Sequence, residues 1–248
     1  MKKSVFIAAF SVMLAGALLS TAPATLLDAG LQSASAGQLR LVSAQGSIWS
    51  GHGAFEIRNS DGAAVYSRPL QWEVNKPRLL IGELSIAYQF TEQALPTQVL
   101  LNLFSATVTD LDVNIPASAL EALLPASKGY GLGGSLNLNS KRLRFTRDNT
   151  EGDVMLRWQH ASSTLAPVSP LGSFQLHLVG EAGQLQFSAL LATLQGPLQL
   201  EGAGTISASQ QSAMQVNATL PESHYAELAP FLRLIGVETA GNRFVLAL

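Results

Sequence analysis

Histidine is the side chain that most often binds metals or transfers protons near neutral pH, and this chain has four, widely separated along the sequence. They are His52, His160, His177 and His224. None has a second histidine or a carboxylate at the spacing of a metal-ligand motif. His177 lies on a predicted strand among apolar neighbours, where a hydrogen-bonded or solvent-facing histidine is more common than a ligand. The histidines therefore predict neither a metal site nor a cofactor.

Three other patterns resemble catalytic or binding motifs, and each lacks a required part. Ser50 is not the nucleophile of a Gly-x-Ser-x-Gly turn, because Ile48 occupies the position of the first glycine. The glycine-rich residues 129–134 contain no Gly-Lys-Ser/Thr sequence and lead into a predicted strand, so they indicate a hairpin turn rather than a phosphate-binding loop. Asp110 and Asp112 would share one face of a strand, which suits a solvated surface. The sequence predicts no catalytic residue and no enzyme.

The composition excludes several further classes of protein. The 248 residues contain no cysteine, so a disulfide scaffold, a thiol nucleophile and a cysteine-ligated zinc site are excluded. The formal charge is −2 and only 13% of the residues are charged, which leaves no basic face for nucleic acid.

The N-terminal residues indicate export. Lys2 and Lys3 precede an apolar run over residues 5–19. Cleavage near residues 22–24 or 34–36 competes with retention as a signal anchor. We expect retention, because Pro23 disfavours the first site and the run from residue 4 to about residue 27 approaches the ~20 residues that span a bilayer. The expectation is a single transmembrane helix within residues 1–27, with the lysines in the cytoplasm. Residues 28–37 would then form a linker or a frayed helix end.

From residue 38 onward, most of the chain alternates between apolar and polar residues, as half-buried strands do. Residues 70–74, 84–90, 111–115 and 198–202 show the pattern clearly, and residues 243–248 suit a closing edge strand. Two stretches break it with helical spacing, residues 117–124 and 222–234. The predicted fold class is all-β, an antiparallel sheet with two short helices.

Two pairs of prolines suggest that the β domain, residues 38–248, contains a weak internal duplication. Pro116 and Pro221 are 105 residues apart, and so are Pro125 and Pro230. The corresponding half-repeats would cover residues 38–147 and 148–248. Such halves could extend one continuous sheet.

Residues 45–53 place one tryptophan among three glycines. Gly46 and Gly51 are positions that suit a turn, a bulge or a close approach of two backbones, and Trp49 reads as a packing anchor between them. Trp72 and Trp158 also lie in alternating segments bordered by turn residues, so we expect all three rings to be buried. Gly236 follows a predicted helix and suits its C-terminal cap.

These motifs, in this order, resemble those of the type II secretion system protein N family. The resemblance rests on a single N-terminal anchor followed by motifs spread over almost the whole chain. They are Gly46-Ser47-Ile48-Trp49-Ser50-Gly51, Leu70-Gln71-Trp72, Leu156-Arg157-Trp158-Gln159, Leu171-Gly172-Ser173-Phe174, Gly196-Pro197-Leu198-Gln199-Leu200 and Leu234-Ile235-Gly236.

The resemblance implies an accessory inner-membrane protein with a periplasmic domain, which works with other components of the machine that moves folded proteins across the outer membrane. It implies no enzymatic activity and carries over no residue-level interface. Low charge and long alternating strands leave a second hypothesis open, a periplasmic groove that binds or transfers lipid acyl chains. A third, an exported hydrolase, has only the compartment in its favour.

Overall fold

The structure is a computed structural model that describes residues 20–124, 127–207, 213–239 and 241–247. These residues form one antiparallel sheet of fourteen strands with four helices. The helices are α1 (Thr25–Ala34), α2 (Lys76–Leu79), α3 (Ser118–Leu123) and α4 (Glu222–Ile235). The strands are β1 (Leu39–Gly46), β2 (Ser50–Arg58), β3 (Ala64–Val74), β4 (Leu84–Phe90), β5 (Thr97–Leu101), β6 (Ser105–Pro116), β7 (Gly133–Thr146), β8 (Thr150–Ser162), β9 (Gly172–Gly180), β10 (Gln186–Gln195), β11 (Gln199–Ser207), β12 (Ala213–Thr219), β13 (Val237–Glu238) and β14 (Arg243–Ala247).

The strands follow one another through the sheet in chain order from β1 to β12, and β14 and then β13 complete it. Short connections join neighbours, which is what antiparallel pairing allows. The prediction of an all-β antiparallel fold is confirmed, and α3 and α4 lie at the two predicted helices. The predicted closing strand, β14, is not the edge, because β13 pairs on its outer side.

Two helices, α1 and α2, were not predicted, so the expectation of two helices is wrong. Residues 28–34, expected in a linker, lie in α1, where Leu27 and Leu31 share one face and pack against Leu41 and Trp72. Their alanine and serine content suggests a linker, but contacts with the sheet stabilise the helix. In α2, Pro77 occupies the first turn, where a missing N–H costs nothing.

Cross-strand partners show that the sheet has one apolar and one polar face, because residues directly opposite one another point the same way. Leu70 is opposite Phe90, Ile86 is opposite Val99, and Val99 is opposite Val108. The apolar face continues through Leu143, Val154, Leu178, Ala189, Met214 and Leu246. The polar face carries Gln71, Gln89, Gln98, Thr109, Arg142, Ser188 and Thr205.

Three helices cover separate parts of the apolar face. α1 packs with Leu41 and Trp72 near one edge, and α3 packs with Ile57. α4 buries Leu228 and Leu232 in the largest cluster of the described residues. Its most deeply buried large side chains include Phe244, Leu220 and Val216. The core is therefore three local clusters on one face of a long sheet.

The two ends of the strands differ in what lies beside them. At the proximal end, residues 22–24 join the sheet next to the β1–β2 turn: Ile48 donates its N–H to the carbonyl of Ala22 (3.0 Å), and Ala24 donates to the carbonyl of Gly46 (3.2 Å). Antiparallel order places residues 75–83, 102–104, 147–149 and 181–185 at this same end. The distal end carries residues 59–63, 91–96, 163–171 and 196–198.

The predicted membrane anchor lies largely outside the described residues, which begin at Ser20. None of the helices that the structure describes is long and apolar enough to cross a membrane. Ala22 and Ala24 are buried in the folded body, and Leu27 contacts the cluster of Leu41 and Trp72. The last residues of the predicted anchor, from Ala22 to Leu27, therefore pack on the sheet in this structure.

Helix α1 also closes the first edge of the sheet. Leu41 donates its outward-facing N–H to Asp28 Oδ1 (2.8 Å), and Leu39 donates to Ser35 Oγ (2.8 Å). Arg40 donates from Nε and Nη2 to the two carboxylate oxygens of Asp28 at 2.9 and 2.8 Å. This bidentate pair holds the pKa of Asp28 below its ordinary value. Side chains of one helix thus occupy donors that an incoming strand would need.

Replacing Asp28 by alanine should lower the free energy of unfolding at pH 7 by about 1.5–3 kcal/mol, because the backbone N–H of Leu41 and two N–H groups of Arg40 lose a charged acceptor. The folded pKa of Asp28 lies below the unfolded value of about 3.9. Its contribution is therefore present above that pH and is lost as the pH falls through the folded pKa. Urea titrations of the full chain in detergent, followed by tryptophan fluorescence between pH 7 and pH 2, measure the difference.

Asp148→Ala is the matched control, since Asp148 is exposed in the β7–β8 turn. Its unfolding free energy should stay close to that of the wild type at every pH. A constant gap between the wild type and Asp28→Ala down to pH 2 would contradict the assigned role of the carboxylate.

Candidate interaction surfaces

Trp72 and Gly51 form one tightly fitted unit at the proximal end. They are direct cross-strand partners on β3 and β2. The Trp72 ring is buried, and its Nε1–H donates to the carbonyl of Ser47 (3.2 Å). A Cβ atom on Gly51 would lie 2.6 Å from the ring atom Cζ2 of Trp72. It would also lie even closer to the carbonyl oxygen of Gln45, so glycine is needed here for the close approach of both β1 and the Trp72 ring.

Trp49 occupies a different environment from the one its sequence predicts. Its side chain is half-buried in the β1–β2 turn, and the ammonium of Lys76 lies 5.5 Å from the ring centroid. Its carbonyl accepts the N–H of Val74 (2.6 Å). Beside it, Gly46 has a positive φ of 97°, as a turn requires. Trp49 thus connects the β1–β2 turn to the β3–β4 connection instead of filling a core.

Trp158 and Gly172 lie at the distal end, away from Trp49 and Trp72. The Trp158 ring packs edge-to-face on Phe174 with centroids 6.2 Å apart, and its Nε1–H donates to the carbonyl of Gly133 (2.9 Å). Gly172 has a φ of 155°, and a Cβ there would lie 2.8 Å from the carbonyl oxygen of Gln195. Trp158 is half-buried and packs against the cluster beneath α4.

Gly236 does follow α4 directly, but not in the left-handed conformation expected of a cap. Its backbone is extended, with φ −158°. A Cβ at this position would lie 2.7 Å from the carbonyl oxygen of Val245 on β14. Close approach to β14 is therefore the reason for glycine. Of the seven residues singled out from the sequence, four lie at the proximal end, Trp158 and Gly172 lie at the distal end, and Gly236 lies beside β14, so they do not converge on one pocket.

The side chains that could do chemistry remain dispersed. His177 Nε2 lies 2.7 Å from Asp153 Oδ2 on the polar face. Asp110 has a φ of 54° at an irregularity in β6, which interrupts the alternation that would pair it with Asp112. Asp112 accepts a hydrogen bond from Asn137 Nδ2 (3.1 Å). Across the described residues, no group of three histidine, aspartate or glutamate side chains could hold a metal ion.

The last edge of the sheet, β13, is short and carries exposed apolar side chains. Thr239 donates its N–H to the carbonyl of Arg243 (3.0 Å), so the alternation of an antiparallel pair directs the N–H and C=O of Glu238 away from β14. Leu234 and Val237 are 75% and 71% exposed. The Glu238 carboxylate accepts from Arg233 and from the hydroxyl of Tyr225, which keep its pKa below the ordinary value. We call residues 234–238 the β13 edge.

Sequence reasoning missed the β13 edge because residues 234–236 read as the end of a helix. The available signal was an apolar run, Leu234, Ile235 and Val237, that continues past the helical pattern. Nothing local shows that Val237 pairs with Val245, since this contact depends on how the chain folds back after α4.

The centre of the apolar face is less protected than its two sides. Ile86, Val99, Val108, Leu156 and Leu176 are half-buried. They lie between the cluster beneath α1 and the cluster beneath α4. An apolar strip therefore crosses the middle of the sheet and stays partly accessible to solvent.

Comparison with known proteins gives one match. The family model described as type II secretion system (T2SS), protein N, matches residues 37–247. No curated protein and no solved structure matches the chain. The matched range begins two residues before β1 and ends with the last residue of β14, so it covers the whole sheet.

Gly51→Ala should destabilise the protein by about 1–3 kcal/mol, because its methyl group would overlap the carbonyl oxygen of Gln45 and the Trp72 ring. Gly30→Ala is the matched control: its Cβ would meet nothing within 4 Å, and alanine favours the helix in which it lies. That variant should be as stable as the wild type or more stable by up to about 1 kcal/mol. Urea titration measures both, and equal stability of the two variants would disprove the fitted Trp72–Gly51 contact.

Proposed function

Because the chain belongs to the type II secretion system protein N family, we propose that it is a structural component of that system which binds another component along its β13 edge. The family is one of secretion-apparatus components, which makes partner binding the function to be explained. The observation that carries the proposal is the difference between the two edges of the sheet. One is closed by α1, and the other presents unpaired backbone beside exposed Leu234 and Val237.

The proposed location is the inner membrane, with the β domain in the periplasm. Lys2, Lys3 and the apolar residues 5–19 support a signal anchor whose lysines remain in the cytoplasm. Cleavage near residues 34–36 would remove α1 and expose the donors of Leu39 and Leu41. Cleavage near residues 22–24 would separate a segment that hydrogen-bonds to the β1–β2 turn. Both contacts favour a retained N-terminal segment that ends its membrane span by about Ser20.

The proposed mode of binding is strand addition. A partner strand would accept the outward N–H of Glu238 and cover Leu234 and Val237, since main-chain hydrogen bonds supply affinity and side-chain pockets supply specificity in this mode. β13 has two residues, so the main-chain pairing with a partner strand would centre on Glu238. The anchor would keep the domain near the membrane components of the system and raise their effective concentration.

Glu238→Pro tests this edge directly, because proline removes the outward N–H and leaves the bonds between β13 and β14 in place. We expect secretion of folded exoproteins by a deletion strain carrying this variant to fall toward the level of the deletion strain itself. Glu238→Ala is the matched control, since it loses the same contacts with Arg233 and Tyr225 but keeps the N–H.

The control variant should restore secretion, and both proteins should accumulate to the same level on immunoblots. A photoreactive residue that replaces Val237 in the protein with Glu238 unchanged should crosslink to another component of the system. Unchanged secretion in the deletion strain, together with no such crosslink, would sink the proposal.

Acyl-chain binding is a second candidate, favoured by the half-buried strip at the centre of the apolar face. Val99 and Val108 face each other across β5 and β6 in this strip. Its side chains are aliphatic, and the neighbouring Ile86 and Leu156 extend it along the sheet. A lipid tail would shield this area from water at about 25 cal/mol per Å² of apolar surface.

Organic extraction of the purified full chain, followed by lipid mass spectrometry, measures this binding. The detergent used for purification should be one that acyl chains can displace, and the empty micelles are the blank. Val99→Asp/Val108→Asp should abolish lipid recovery, whereas Thr109→Asp on the polar face should retain it. A wild-type protein that carries no more lipid than the blank removes this candidate.

A further inference from the structure

Four large apolar side chains protrude from two neighbouring connections at the proximal end. Leu80 and Ile81 in the β3–β4 connection are 91% and 73% exposed, and Leu103 and Phe104 in the β5–β6 turn are 90% and 82% exposed. We define residues 47–49, 75–83 and 102–104 as the proximal rim. We propose that the proximal rim lies on a lipid bilayer and inserts these four side chains at its surface. The proposal rests on the membrane anchoring proposed above.

The register of the strands brings the parts of the proximal rim together. Leu84 at the start of β4 is opposite Leu101 at the end of β5, so the two protruding connections are adjacent. Lys76 lies against the ring of Trp49, which joins the β1–β2 turn to the same group. From the β1–β2 hairpin to the β5–β6 hairpin is four strand spacings, or about 19 Å at ~4.8 Å each. The rim is therefore one local surface.

The position at which the chain reaches the sheet makes a bilayer the expected occupant. Leu19 ends the apolar run, and the carbonyl of Ala22, three residues later, already accepts the N–H of Ile48 in the rim. Three residues span at most about 10 Å. The apolar run, residues 5–19, has fifteen residues, whereas a helix that spans the hydrocarbon core usually needs about 20. The residues after it are therefore needed for the span and cannot form a linker between the bilayer and the β domain. An anchor of this length holds the rim at the membrane surface.

The charges and aromatic groups of the rim suit lipid headgroups. Lys76 and Arg78 are its cations, and Glu83, which pairs with Arg78 at 3.0 Å, is its carboxylate. The excess of positive charge favours anionic headgroups. Tryptophan with a neighbouring lysine is also a typical pairing at the boundary between headgroups and acyl chains. The four apolar side chains would thus contact the acyl chains, and the cations and Trp49 would lie at the level of the headgroups.

The absence of cysteine from the sequence allows a direct test with single-cysteine variants of the full chain. Leu103→Cys and Ile81→Cys carry an environment-sensitive fluorophore on the rim. Leu95→Cys is the matched control, because Leu95 is 62% exposed at the distal end. Each labelled protein is reconstituted into vesicles of phosphatidylethanolamine and phosphatidylglycerol that contain a lipid with a quencher on its acyl chain.

The expected result is loss of fluorescence at positions 103 and 81 and none at position 95. In a second variant, Leu103→Asp/Phe104→Asp, the probe at position 81 should regain fluorescence, whereas Leu95→Asp should leave it quenched. This comparison separates insertion of the apolar side chains from mere proximity to the anchor.

Flotation of the same vesicles distinguishes the two proposals. If the protein floats with the vesicles but the probe at position 103 is quenched no more than the probe at position 95, the proposed bilayer contact is wrong and membrane anchoring is not. The proximal rim would then be a surface for a protein partner. Protein that fails to float overturns membrane anchoring and bilayer contact together. The secretion assay of Glu238→Pro depends on neither readout.

Discussion

An open antiparallel sheet has two edges whose backbone N–H and C=O groups need hydrogen-bond partners, and this constraint shapes the whole fold. At the β1 edge, one carboxylate and one hydroxyl from α1 take up the N–H groups of Leu41 and Leu39. Arg40 then holds the carboxylate in place through a bidentate pair. As a result, two donors that an added strand would need at the start of β1 are already occupied, whereas β13 directs the N–H and C=O of Glu238 outward.

The apolar face sets the second constraint, because fourteen strands present more apolar surface than the short helices of the described residues can cover. α1 and α3 protect the region around Leu41 and Ile57, and α4 protects the region around Phe244. Between these regions several side chains, such as Val99 and Val108, stay half-buried, although Leu143 and Val154 are buried. A fold with a single central core would bury this strip. Here burial is local, which explains both the stability of the two sides and the availability of the middle for an acyl chain.

The sequence predicts what depends on local pattern and misses what depends on pairing. Alternation identifies strands such as residues 70–74, and helical spacing identifies α3 and α4. The alternating pattern cannot show that Gly51 must be glycine because the Trp72 ring packs on it. The pattern does not show which strand lies beside β2. For the same reason α1 resembles a linker until Leu27 and Leu31 meet the sheet, and Trp49 resembles a core residue until Lys76 is found beside it.

The two proposed contacts lie at opposite sides of the sheet, and this separation has a physical consequence. The proposed membrane segment would join the body beside β1, whereas the β13 edge is thirteen strand spacings away, roughly 60 Å along the sheet at ~4.8 Å per spacing. Binding at one site therefore does not occlude the other. Because α1 occupies backbone donors at the edge next to the proposed anchor, a partner strand would be directed to the far side of the sheet. Insertion of Leu80 and Leu103 would in turn fix the tilt of the sheet on the bilayer, so that the β13 edge is presented at a defined position rather than on a freely swinging domain.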